Sequence, residues 1–278
     1  MEVLKIAAFS EKNTGGNPAG VVFCDEMPPE EEMLRTAKQV GYSETAFLHP
    51  IKDGWRIRYF APDMEVPFCG HATIASGAAL EDRFGEGKYN LHINNGEISV
   101  SAAKSPSGVF IVSLHSPETW SVEAPLDYVT KILKEFNLLI SDLNTKFPVR
   151  FAFAGAKHLI LVLKNHEKLK AMAYHFEKVN ALMAKEDLVT IDLIWIESEK
   201  LFHARNPFPP GGVYEDPATG AAAAALAGYL RDIDWPGGNR FDILQGEDMG
   251  SPSRLTVQFT RVKGASIQVS GETRYITD

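Results

Sequence analysis

From Ala218 to Leu230 the chain carries no charged residue and almost no bulk. A helix apolar on every side has to be surrounded on every side. Its small side chains let neighbouring backbone approach closely. The approach is punctuated by Pro209-Pro210-Gly211-Gly212. In Glu215-Asp216-Pro217-Ala218-Thr219-Gly220, Asp216 reads as an N-cap and Pro217 as the first helical residue. The free N–H groups at such a start suit a carboxylate or another anion.

A second uncharged segment, Ala72–Leu80, reads as a helix of the same kind. Shifting the chain by 146 positions lays Ala72, Thr73, Ala75, Ala78, Ala79 and Leu80 on Ala218, Thr219, Ala221, Ala224, Ala225 and Leu226. The same shift lays Gly70 on Asp216 and His71 on Pro217. Strand-like runs precede each helix, and a meander of strands follows each. The expected architecture is therefore α+β: two pseudo-symmetric halves, each a mostly antiparallel, barrel-like roll around a central buried helix. The halves are expected at 1–116 with 266–278, and at 117–265. Two helix starts would then face one cleft able to hold a small anion.

Net charge of −8 disfavours nucleic acid and anionic membranes as partners. The N-terminal residues lack the apolar stretch of a signal peptide, and no apolar run is long enough to span a bilayer. The two cysteines, Cys24 and Cys69, are no disulfide framework, so a cytoplasmic location with free thiols is expected. Metal-ligand and nucleotide-binding signatures are absent, so neither a metal nor another cofactor is expected.

Glu44 leads the candidates for chemistry. It lies in the mostly uncharged run Gly41–Leu48, read as a strand from Ser43. In an apolar cleft its pKa would rise, which suits an acid/base that takes and returns a proton. The alternative is a solvated strand glutamate. His71 and Cys69 lie at the start of the first buried helix. His71 could hydrogen-bond a substrate carbonyl or carboxylate, or be structural. Cys69 could be a thiolate favoured by the helix N-terminus. The matching region Glu215–Ala221 holds no cysteine, which disfavours two-thiol racemisation. Asp216 could orient a substrate hydroxyl or amino group and help keep Glu44 protonated.

Six motifs occur in order: Gly16-Asn17-Pro18-Ala19-Gly20-Val21-Val22, Ser43-Glu44-Thr45-Ala46-Phe47, Arg58-Tyr59-Phe60-Ala61-Pro62, Phe68-Cys69-Gly70-His71-Ala72-Thr73, Glu215-Asp216-Pro217-Ala218-Thr219-Gly220, and Gln245-Gly246 with Met249-Gly250-Ser251-Pro252-Ser253. Together they span most of the chain and resemble the PhzF-like phenazine-biosynthesis isomerases, whose fold is similar to that of diaminopimelate epimerase. The resemblance implies a cofactor-free isomerase, in which one glutamate moves a proton between two carbons of a small carboxylated substrate. Glu44 falls at that position. His71, Asp216, Gly70, Gly220, Ala221 and Asn17 fall where substrate is bound. The resemblance also implies a homodimer and a final strand returning to the first half. Two positions depart from the family pattern: Ala221 where serine is frequent, and Ser251 where arginine is frequent. Two rivals stand beside this reading. One is an amino-acid or hydroxy-acid epimerase using Glu44 with Asp216 or Cys69. The other is a non-catalytic protein that binds a metabolite or interacts with other proteins.

Overall fold

The computed structural model describes residues 1–94, 96–105 and 108–277. It separates into two compact units, Met1–His115 with Ser251–Arg254 and Gln268–Asp278, and Ser116–Gly250 with Leu255–Ile267.

The first unit contains β1 (Leu4–Ser10), β2 (Asn17–Phe23), α1 (Glu30–Val40), β3 (Thr45–Ile51), β4 (Gly54–Phe60), β5 (Glu65–Val66), α2 (Gly70–Phe84), β6 (Gly87–Ile93), β7 (Gly96–Lys104) and β8 (Phe110–His115). The second contains β9 (Trp120–Glu123), α3 (Leu126–Glu135), β10 (Arg150–Phe153), β11 (Lys157–Leu163), α4 (His166–Lys170), α5 (Phe176–Met183), β12 (Thr190–Ser198), β13 (Leu201–Pro207), β14 (Glu215–Asp216), α6 (Gly220–Asp232) and β15 (Arg240–Gln245). Strand β16 (Ser253–Gln258) begins in the first unit and ends in the second, and β17 (Gln268–Tyr275) returns to the first.

The first unit closes into a barrel. Its strands pair in the order β1, β2, β3, β4, β6, β7, β8, β17 and back to β1. Closure leaves no open edge in this ring. Helix α2 packs against β1, β2, β7, β8 and β17, and Gly70–Glu81 are all buried. This is what an uncharged small-residue helix requires. Gly77 shows how closely it fits, because a Cβ there would lie 2.5 Å from Val112 Cγ1. A β-branched side chain on a strand has little room to yield. Gly77→Ala is therefore expected to cost about 1–3 kcal/mol by overpacking, read from the urea midpoint at an unchanged m-value. An unchanged midpoint would show that the α2–β8 contact relaxes freely.

The second unit repeats the plan. β10 and β11 pair antiparallel, β11 and β12 parallel, β12 and β13 antiparallel, and β13 and β15 parallel. The short hairpin β13–β14 mirrors β4–β5. Helix α6 is buried from Ala222 to Arg231, against β9, β10 and β11. The fold is the expected diaminopimelate epimerase-like α+β architecture.

The offset between the repeats is not the one the alanines suggest. Hairpin β5 and helix α2 start at Glu65 and Gly70, while β14 and α6 start at Glu215 and Gly220. The equivalence is thus 150 positions. It aligns Glu65 with Glu215, Pro67 with Pro217, Cys69 with Thr219 and His71 with Ala221. The 146-position match came from interchangeable alanines.

Four residues within the span expected for the second half pack with the first unit. Ser251 Oγ donates to the Gly16 carbonyl at 2.7 Å, and the Gly16 N–H donates to the Pro252 carbonyl at 3.1 Å. Ser253 pairs with Ser10, and Arg254 bonds Glu11 at 2.8 Å. Gly15, at φ +57°, would place a Cβ within 2.1 Å of the Pro252 carbonyl oxygen. Ser251, one of the departures from the family pattern, is thus a tie between two of the six motifs.

Candidate active site

Strand β3 begins at Thr45, so Glu44 stands just before the strand rather than in it. Its carbonyl accepts the Gly20 N–H at 3.2 Å. That contact fixes Glu44 to the parallel partner β2, whose first residue is the buried Asn17. Cys69 is the N-cap of α2. Its carbonyl accepts both the N–H and the hydroxyl of Thr73, the latter at 2.6 Å. Thr73 is held in turn by Tyr59, whose hydroxyl lies 2.6 Å away.

Glu44, Cys69 and His71 are 6%, 7% and 6% exposed. Glu44 Oε2 lies 3.2 Å from His71 Nε2. The same nitrogen is 3.3 Å from Ser43 Oγ. Cys69 Sγ is 3.4 Å from His71 Nδ1 and 3.8 Å from Nε2. Glu44 Oε2 is inaccessible to solvent and has no well-directed hydrogen bond. Its approach to His71 is an ion-pair contact. Local spacing brings together Cys69 and His71; the family resemblance places Glu44 in the same site, but the direct Glu44–His71 contact was not foreseen, because the two are distant in the chain.

Electrostatics in the cluster differ from expectation. Burial pushes the Glu44 carboxyl up, but the close contact with His71 and its charge outweigh it. Ser43 and Cys69 add smaller effects, and the group settles below its usual range. Burial pulls His71 down, yet the neighbouring Cys69 and Glu44 more than reverse this, leaving the imidazole well above its ordinary value. The Cys69 thiol is pushed up to about 11, first by burial and then by the Glu44 charge. The thiolate expected from the helix N-terminus is therefore absent at neutral pH. Glu44 is the anion that His71 faces, so the pair stands as carboxylate and imidazolium.

Within the second unit, Asp216 lies in β14, and Thr219 is the N-cap of α6. Asp216 is therefore not the cap, nor Pro217 the first helical residue. The turn Pro217-Ala218 separates them from the helix. Asp216 instead accepts the Thr219 hydroxyl at 2.6 Å. Gln245 donates from Nε2 to the Asp216 carbonyl at 2.7 Å and accepts the Thr219 N–H at 3.1 Å. Gly220 and Ala221 open the helix.

Two further devices hold Asp216, and sequence reasoning missed both. Arg205 is bidentate on its neighbour Glu215, with Nε at 2.9 Å, and also donates to the Lys170 carbonyl at 2.9 Å. On the other side, Asn206 is the β13 partner of Asp216. Its side chain accepts the Thr190 hydroxyl at 2.8 Å and donates to Asp192 at 2.9 Å. The first unit repeats the clamp, with Arg58 bidentate on Glu65 at 2.8 and 2.6 Å. Each pair joins a long strand to the short strand before a helix. The signal was an arginine followed by Glu-x-Pro in both halves.

Among the described residues, no helix is long and apolar enough to cross a membrane. Glu44, Cys69 and His71 each offer one ligand atom, all within 4.8 Å of one another, a metal-compatible set that no sequence signature announced.

The family model described as phenazine biosynthesis-like protein matches residues 6–278. The chain belongs to the PhzC–PhzF family. It is 31% identical over 270 residues to trans-2,3-dihydro-3-hydroxyanthranilate isomerase of Pseudomonas aeruginosa, covering 95% of this chain and 91% of that protein. It is 28% identical over 284 residues to the uncharacterized isomerase YfhB of Bacillus subtilis, covering 99% and 96%. The PhzF-family phenazine biosynthesis protein of Bacillus anthracis superposes with a TM-score of 0.86 at 24% identity, covering 100% of this chain and 98% of that one. This PhzF-family chain is accordingly an isomerase with the fold of that family.

Proposed function

We propose that this PhzF-family isomerase is cofactor-independent and moves a proton between two carbons of a small carboxylated substrate, with Glu44 as the acid/base. The supporting observation is the buried Glu44–His71 contact of 3.2 Å. Acting as a base, the carboxylate removes a proton from carbon. The resulting carboxylic acid returns it to a second carbon as the double bond shifts, and Glu44 is regenerated. A carboxylate held below its usual range is a weak base for carbon. His71 is the main cause of that, and a substrate group that draws on His71 would leave burial opposed only by the smaller effects of Ser43 and Cys69, which strengthens the base. The substrate's own polar group would thus switch the base on. By the family resemblance, we assign Asn17, Gly70, His71, Asp216, Gly220 and Ala221 to substrate binding. The N–H groups at the start of α2, the helix that carries His71, supply donors for developing negative charge. The closest rival is epimerisation, and a Cys69 thiol near 11 is poorly suited to serve it as a base.

The first substrate to try is trans-2,3-dihydro-3-hydroxyanthranilate, on which the P. aeruginosa relative acts. In deuterium oxide, a double-bond shift with either the original proton or solvent deuterium delivered to the accepting carbon supports the proposal. Labelling at a stereocentre with interconversion of stereoisomers, and no movement of a double bond, would establish the epimerase instead. Turnover is also expected to survive exhaustive chelation; a strict metal requirement would contradict the proposal.

A further inference from the structure

The same three buried side chains are arranged for a task that proton transfer does not need. We propose that Glu44, Cys69 and His71 form a binding site for a thiophilic divalent cation of the zinc class, and that the bound ion silences the isomerase. The binding claim stands on geometry; the silencing claim rests on Glu44 being the acid/base.

Tetrahedral zinc, with bonds of about 2.3 Å to sulfur and about 2.0–2.1 Å to nitrogen or oxygen, sets its ligand atoms roughly 3.3–3.6 Å apart. Here the Sγ–Nε2 and Nε2–Oε2 separations are 3.8 and 3.2 Å. Two edges are thus close to those of a zinc tetrahedron, and the ligand atoms of the three residues all lie within 4.8 Å of one another. Thiolate, imidazole and carboxylate together favour zinc over magnesium or calcium, which prefer oxygen alone.

A second observation points to a ligand. Glu44 Oε2 is cut off from solvent, and its contact with His71 at 3.2 Å is not a well-directed hydrogen bond. A divalent cation beside the three side chains would give that oxygen a directed partner in place of the His71 contact. The carbonyl of Cys69 is fixed by Thr73, and Thr73 by Tyr59, so the thiol sits on a pre-set backbone. Coordination expels the protons of the Cys69 thiol and the His71 imidazolium to solvent, and the metal takes their place. Three protein ligands leave a fourth position for water or a substrate carboxylate. Metal on Glu44 and proton on Glu44 exclude one another.

The test uses the full chain freed of metal by chelation and dialysis. Titration with zinc chloride against a colorimetric chelator should show one equivalent bound. Cobalt chloride should give a thiolate-to-metal charge-transfer absorption. That absorption should vanish in Cys69→Ser and weaken in Glu44→Gln, and it should persist in Cys24→Ser and in His203→Ala. His203 also lies between carboxylates, Glu197 and Glu247, so its variant separates binding at that second cluster from the proposed site. Far-UV circular dichroism confirms that each variant is folded. Absence of the band in the parent protein, or its survival in Cys69→Ser, would overturn the site. Zinc bound through Cys69 with turnover unaffected would support the site and refute the acid/base role of Glu44.

Discussion

Glu44→Gln is expected to lower kcat by about 10³-fold or more, while affinity for a carboxylate ligand changes little, since general acid/base groups contribute about 10²–10⁴-fold. Gln keeps the shape but cannot take up a proton from carbon and return it. Single-turnover rates and ligand titration on the same sample separate the two effects. Normal turnover in the Gln variant would remove Glu44 from the mechanism. The parent's pH profile follows from the ion pair. Glu44 is depressed from 4.5 and His71 raised from 6.5. kcat/KM should therefore rise through a value below the usual glutamate range, hold across neutrality, and fall only above the usual imidazole range. Stability carries the same signs. The Glu44 contribution is complete above its unfolded value and is lost as pH falls through the lower folded one. The His71 contribution is complete below its unfolded value and is lost as pH rises through the higher folded one. Both are fully present between about 4.5 and 6.5. A profile with its acid limb at the ordinary glutamate position would show that the pair does not form in solution.

The second large effect is structural. Arg205→Ala leaves Glu215 buried without its partner and is expected to cost about 3–5 kcal/mol. Replacing both residues by Met should recover much of that, because the uncompensated charge goes with the cation. Urea denaturation of the single and double variants reads this directly. The equivalent Arg58–Glu65 pair is more open, at 19% side-chain exposure for each partner, so Arg58→Ala should cost less. If both single variants cost the same, burial is not what distinguishes the clamps. On the binding role proposed for Asp216, loss of Arg205 should also weaken substrate affinity, since Glu215 neighbours Asp216.

Much of this was written in the residues in readable form. Two uncharged helices, strands before each and a meander after each required two strand-built units around buried helices. What was misread depended on sequence runs with little information in them. Alanine matches alanine at almost any offset, so the repeat was placed at 146 positions, whereas the Glu-x-Pro turns before each helix fix it at 150. Asp216 resembles a cap because Asp-Pro is a common helix opening. The cap falls on Thr219 because the hairpin pairing of Asn206 with Asp216 carries the chain past that point first. The Glu44–His71 contact was beyond local pattern, because it depends on where β3 and α2 begin in a closed barrel. The direction of the Glu44 shift followed from that contact, and burial alone would have given the opposite sign.

The ring of the first unit is completed by β17, which lies between β1 and β8. Those two strands are made early, while residues 268–275 follow every residue of the second unit. During synthesis the first barrel must therefore wait as an open sheet with two unsatisfied borders, and the later-made unit can finish first. The order of manufacture and the order of completion are reversed. The Glu44–His71 pair, encoded near the beginning, acquires its finished surroundings only when the last strand slides home.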